Sequence, residues 1–453
     1  MKMINKLLYF ALAITFLSSC DQEADVPTPK SGEADFSVFV SLGDSYSAGY
    51  TDGALSRDGQ ESAFTTLMAA NLSGLGNEGF SVPFLPAETS VGSSLEGKME
   101  LQVTQSGLAP VTTEGNPELL TDPSTWINDG APYHNVGIPG ARSYHLVAPQ
   151  YGDYTLGAGN FNPFYARFAT APGVSTALSD ALSLNPTFFS LWIGGNDVLG
   201  YALAGGEGES AGMGGDDITP AGVFGQSYDL MLSSLTGQGA KGVIATVPDI
   251  DRIPFFNTVL PGMLELTAEQ AAALNAGYQQ YNDAEVQYNL EKITFTEGAN
   301  YFVVEDEDHP LGMRQIETDE KILLTARTNI TAAGWGSQSP VPQEYVLDKA
   351  ELTAISEATE AFNGVIRDRA GQFDLALVET NDLLGATAEG LMVNGISYNN
   401  AYITGGVFSL DGIHVTARGS AILANEFIDA VNEKYGSTIP HVVVNNQDGI
   451  IFP

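Results

Sequence analysis

The chain has 453 residues, 43% of them apolar and 9% aromatic, enough to bury a large core and too many for a disordered chain. Its 55 acidic against 18 basic residues give a formal net charge of −37, which excludes nucleic acid as a natural partner, because phosphates need Lys and Arg to neutralise them. A single cysteine excludes an intramolecular disulfide framework.

Residues 1–19 read as a secretion signal: Lys2 and Lys6 precede the apolar stretch Leu7 to Leu17, which is short for a membrane span. Leu-Ser-Ser-Cys then ends at Cys20, and this ending resembles a bacterial lipobox, whose cysteine becomes a lipid-modified first residue. Residues 20–35 are acidic, contain Pro27 and Pro29, and are expected to form a flexible tether. The expected location is the bacterial cell envelope, lipid-anchored, with the outer membrane favoured because Asp21, Glu23 and Asp25 resemble the acidic residues of surface-displayed lipoproteins.

From Phe36 onward, β-rich apolar runs alternate with helical patterns. The runs are Phe36 to Leu42, a segment ending at His134 to Gly137, Pro186 to Ile193, Gly242 to Val247 and Leu375 to Val378. Near-continuous runs of this kind are buried on both faces. Helix starts are legible at Thr219-Pro220, at Thr267 with Gln270, at Asp348 with Glu351 and after Thr416, where Ile422, Phe427, Ile428 and Val431 form an apolar face. The alternation predicts an α/β class protein, a doubly wound parallel sheet in one domain over 36–453. Residues 75–130 and 298–345 break the rhythm and read as insertions. Phe80, Phe84, Leu85 and Trp126 in the first are candidates for an acyl pocket, a lid or core. The acidic run Glu305 to Asp308 lacks the spacing of a calcium loop and reads as solvated surface.

Four short segments just past strands carry the chemistry. Gly43-Asp44-Ser45 puts a hydroxyl at a strand's carboxyl end, where ligands sit in such sheets. Asp411-Gly412-Ile413-His414 spaces a carboxylate to orient an imidazole as a general base. Gly140 offers a backbone amide that no side chain shields, and Asn196, in Gly194-Gly195-Asn196-Asp197, offers an amide side chain; both suit an oxyanion. Arg142 follows Gly140 and is a candidate for lying near the crevice.

In this order the four segments resemble the SGNH hydrolases, the GDSL-type lipases and esterases, across residues 38–433. Tyr46 stands where that family's signature has leucine, a position with no part in the chemistry. The long insertions and Asn162 to Phe168 are most similar to large lipoprotein members from Bacteroidetes. The resemblance implies a flavodoxin-like three-layer α/β/α fold and a serine hydrolase cleaving carboxylic esters. It implies Ser45 as nucleophile, His414 as base and Asp411 as its orienting acid, with an oxyanion hole of Ser45, Gly140 and Asn196. No metal or organic cofactor is required, and the expected partners are an ester substrate, lipid or acylated glycan, and the membrane through Cys20. Two alternatives stay open at this point: an acetyl esterase acting on polysaccharide, and a non-catalytic surface lipoprotein that binds glycans or lipids.

Overall fold

The computed structural model describes residues 28–453 apart from 78, 106, 128, 129 and 289. The expected leader, Cys20 and half of the expected tether lie outside the described residues. Five short strands form the central sheet: β1 (Phe39–Gly43), β2 (Asn135–Gly137), β3 (Phe188–Trp192), β4 (Lys241–Ala245) and β5 (Ala376–Val378). They run parallel in the order β5-β4-β3-β1-β2. This is the flavodoxin-like order, and each strand lies within about three residues of its predicted run.

Eight helices matter for the site: α1 (Ser45–Ala48), α2 (Phe64–Leu72), α3 (Ala177–Ser183), α4 (Asn196–Leu203), α5 (Ala221–Gly237), α6 (Lys349–Gln372), α7 (Thr380–Glu389) and α8 (Ala417–Tyr435). Helix α2 packs on α8 at one face of the sheet, while α3 and α6 pack against α5 at the other, as right-handed crossovers in opposite directions require. On the first face Phe64 and Phe427 contact Trp192, with ring centroids 5.6 and 5.8 Å away. On the second Phe224 stacks on Phe362 at 4.3 Å. All five residues of β1 and of β3 are buried, which explains why these strands read as unbroken apolar runs.

Helix caps follow the sequence at Asp348, which accepts the Glu351 N–H, and at Thr416, which accepts the Gly419 N–H. Thr219 departs from expectation: Pro220 is the cap residue of α5, and the Thr219 N–H instead bonds the Asp197 carbonyl. The expected tether is also shorter than predicted. Lys30 and Glu33 make backbone bonds to Thr438 and Tyr435, and Ala34 and Phe36 are buried. Apolar contacts at 34 and 36 therefore draw the acidic segment onto the domain from residue 30.

The second insertion begins earlier than predicted. Residues 257–348 hold three small antiparallel pairs and two apolar clusters of their own, one around Val259, Phe302 and Ile322 and another around Leu266, Ile293 and Phe295. The helix after Thr267 has its capping box but belongs to this satellite, since a box specifies where a helix starts and not which core it joins. In the acidic run, Asp306 pairs with Arg314, and among the described residues no group of His, Cys, Asp or Glu is gathered to hold a metal.

The first insertion carries the hairpin Met99–Thr104 with Gly107–Thr112. Its candidate pocket residues are structural. Leu85 is buried with Leu55, Val91 and Leu119, and Phe80 stacks on Phe39 at 5.2 Å. Phe84 lies beneath the Arg57 guanidinium, and Trp126 packs edge-on against Tyr154. None of them reaches the cleft beside Ser45.

Candidate active site

The chain leaves β1 for β2 on one side and reaches β3 on the other, so the sheet's switch point lies between β1 and β3. Side chains just past both strands share that crevice. Gly43 closes β1 because a Cβ there would stand 2.2 Å from Ser47 Oγ and 2.5 Å from the Trp192 carbonyl. Asp44 then caps α1, accepting the Tyr46 N–H at 3.0 Å, and Ser45 becomes the first helical residue. Its hydroxyl is thrown out at the carboxyl end of the sheet.

Ser45 Oγ lies 2.9 Å from His414 Nε2, and His414 Nδ1 lies 2.8 Å from Asp411 Oδ2. An ionised carboxylate only accepts, so the neutral imidazole carries its proton on Nδ1 and leaves Nε2 free to accept from the serine hydroxyl. Asp411 is well furnished with donors. Oδ1 accepts from Ser409 Oγ and from the Ile413 and His414 N–H groups, while Oδ2 accepts the Gly53 N–H at 2.9 Å. Burial opposes ionisation here, but the imidazole and these hydrogen bonds outweigh it and hold the carboxyl well below the usual range.

Three N–H donors in these segments are left without an acceptor. Among the described residues the Ser45 and Gly140 amides have no backbone acceptor, and Gly140 has a left-handed φ of +78°. Asn196 Nδ2 gives one hydrogen to the Ala141 carbonyl at 2.9 Å, which leaves the second. The neighbouring Asp197 accepts from both the N–H and Oγ of Ser143, at 2.8 and 2.7 Å. Asn196 and Asp197 thus bind the loop that carries Gly140 at two points, and the two donor segments are held together.

The cleft contains Ser45, Asn196 and His414 with Trp192, Leu199, Pro248, Ile250 and Ile253 along its walls. Arg142 does not enter it. Its guanidinium is buried and bonds the carbonyls of Asp217 and Gly215, so it is a strut for the 207–217 loop. Tyr46 has a larger part than its leucine counterpart would suggest. Its hydroxyl bonds the Ile413 carbonyl at 2.7 Å and its ring lies 5.4 Å from that of His414. Sequence reasoning also missed Asp52 and Ser409. Asp52, at φ +53°, accepts the Leu410 N–H, and its own N–H bonds Ser409 Oγ. The only signal was an Asp-Gly pair, which is ordinary turn material.

No family model matches the chain, and no curated protein matches it either. Among solved structures it is similar to a putative GDSL-like lipase from Parabacteroides merdae, at 12% identity over 89% of this chain and 99% of that one, with a TM-score of 0.33. An acetyl xylan esterase, AlAXEase, aligns at 14% identity over 87% and 98%, with a TM-score of 0.32. An extracellular lipase from Streptomyces rimosus aligns at 12% identity over the same shares and with the same score.

Burial pushes the Asp44 carboxyl up from 3.8 to about 7, against the Tyr46 N–H that favours its charge, and nearby Asp197, itself raised to about 6, adds to the effect. A carboxyl with a raised folded-state pKa binds more protons folded than unfolded. Its stabilisation is complete below about pH 4 and is lost as pH rises through 7. The unfolding free energy is therefore expected to fall between pH 5 and 8, with Asp44 contributing on the order of 2 to 4 kcal/mol. In Asp44→Asn, which keeps an acceptor for Tyr46, that fall should shrink. Denaturant melts at both pH values measure it; equal slopes in the two proteins would refute the assignment.

Proposed function

We propose that the chain hydrolyses carboxylic esters through an acyl-enzyme on Ser45. The observation that carries this is the continuous relay from Ser45 Oγ to His414 Nε2 at 2.9 Å and from Nδ1 to Asp411 at 2.8 Å. Ser45 attacks the ester carbonyl while His414 takes its proton and then delivers it to the departing alcohol. The Ser45 and Gly140 amides and the second Asn196 hydrogen stabilise the oxyanion. Water, deprotonated by His414, then releases the acid and restores the serine.

The surroundings favour an aliphatic acyl group over acetyl. Beside the cleft lies a second, mostly apolar space bounded by Leu383, Val407, Phe408, Ile422 and Leu423, and the two share Tyr46, Trp192, Pro248 and Ile253 as walls. A methylene moved from water into such surroundings gains about 0.8 kcal/mol. A series of p-nitrophenyl esters should therefore show kcat/KM rising on the order of tenfold from acetate to butyrate. A maximum at acetate would favour the acetyl esterase reading. No turnover of any ester would refute hydrolysis altogether.

A further inference from the structure

The chain turns sharply soon after α1, and Thr51 and Ala54 close that turn by bonding each other's carbonyls. At its tip Asp52 and Gly53 have φ of +53° and +79°, the two left-handed conformations that a type I′ hairpin turn requires and that Asp-Gly supplies. Neither N–H at such a tip has a partner within its own hairpin. Here both are given to the segment that carries Asp411 and His414: the Asp52 N–H to Ser409 Oγ at 3.1 Å and the Gly53 N–H to Asp411 Oδ2 at 2.9 Å.

Asp52 uses every polar group it has. Its carboxylate oxygen Oδ1 accepts the Leu410 N–H at 2.9 Å, and its carbonyl accepts the Met99 N–H at 2.7 Å, which ties the tip to the hairpin of the first insertion. Ser409 Oγ, which accepts from Asp52, turns its one proton to Asp411 Oδ1 at 3.0 Å. Two donors to the Asp411 carboxylate, one on each oxygen, are therefore placed by this single turn. Burial raises the Asp52 carboxyl from 3.8 to about 6; the Leu410 N–H, Lys98 and His414 oppose that rise, and the charge of Asp411 adds to it. Protonated or not, the group keeps a lone pair for Leu410, so the contact does not depend on its charge.

We propose that Asp52 is a positioning residue for the reaction: through Ser409 and Leu410 it fixes the Asp411 carboxylate with Oδ2 toward His414 Nδ1. It touches no substrate and acts on Ser45 only by way of Asp411 and His414. In its kinetic consequences this inference rests on the ester hydrolysis proposed above; in its geometry it does not.

Asp52→Gly suits the left-handed φ and keeps both backbone bonds, so it removes only the acceptor for Leu410. On p-nitrophenyl butyrate its kcat should fall about tenfold or more, with KM within about twofold of wild type. Asp52→Asn, which keeps an acceptor and suits the turn, should recover kcat to within about threefold. Added to Asp411→Asn, Asp52→Gly should cost less than about twofold, because the group it acts through is already disabled; a merely structural part would cost the same in both backgrounds. The Nδ1 proton of His414 supplies a readout that needs no ester. Its downfield NMR resonance should move or vanish in Asp52→Gly and stay in place in Asp52→Asn. An unmoved resonance or full kcat in Asp52→Gly, equal losses in the two backgrounds, or an asparagine variant as impaired as the glycine one would each overturn the proposal. A wild type that turns over no ester would refute hydrolysis alone, and the resonance would then decide the part played by Asp52. Should Asp52→Gly fail to fold, Ser409→Ala interrupts the same route at a small side chain: a moved resonance supports the proposal and an unmoved one overturns it.

Discussion

Ser45→Ala is expected to bring turnover of p-nitrophenyl butyrate down by about 10⁵ to 10⁶, with melting behaviour unchanged. The hydroxyl is the group that bonds carbon, and the remaining oxyanion donors have no acyl-enzyme to stabilise without it. The fold should tolerate the change because the only described side-chain partner of Ser45 Oγ is His414 Nε2. That nitrogen borders the cleft. Losing one hydrogen bond there costs about 1 kcal/mol at most, far less than a cavity in the core. A fluorophosphonate probe should label the wild-type protein and not the variant. Labelling of Ser45→Ala, or its retention of more than a few per cent of the activity, would exclude Ser45 as the nucleophile.

Asp411→Asn should cost about 10⁴ in kcat, more than the loss of a single oxyanion donor. The hydrogen bonds around the carboxylate dictate how an asparagine must sit. Placing its NH₂ at the Oδ1 position would face it against the Ile413 and His414 N–H groups, whereas the Oδ2 position opposes only the Gly53 N–H. The amide is thus driven to point its hydrogens at His414 Nδ1. The imidazole then keeps its proton on Nε2 and can no longer accept from Ser45. KM should change little, since no substrate atom is lost from the cleft. Activity above about a tenth of wild type would show that Asp411 does not set the tautomer.

The sheet was legible because its strands are buried on both faces, and unbroken runs such as Phe188 to Trp192 end at glycines that mark the carboxyl edge. Ser45, Asn196 and the Asp411-to-His414 turn were legible for a related reason: each is a local motif at the end of an element, and its chemistry can be read within a few residues. What escaped notice acts across the chain. Tyr46 reaches the Ile413 carbonyl from 367 residues away, and Gly53 reaches Asp411 from 358. Neither residue differs locally from common turn or core material, so its role exists only once the loops meet. The satellite at 257–348 was underestimated for the same reason, because the helix after Thr267 is well specified in itself while its allegiance to a second core is a tertiary fact.

The clasp of Lys30 and Glu33 on Tyr435 and Thr438 fixes where the polypeptide enters the domain. That entry lies at the amino end of β1, while Ser45 opens from its carboxyl end, five residues and roughly 16 Å further along. The polypeptide therefore enters at the end of the sheet opposite to the cleft.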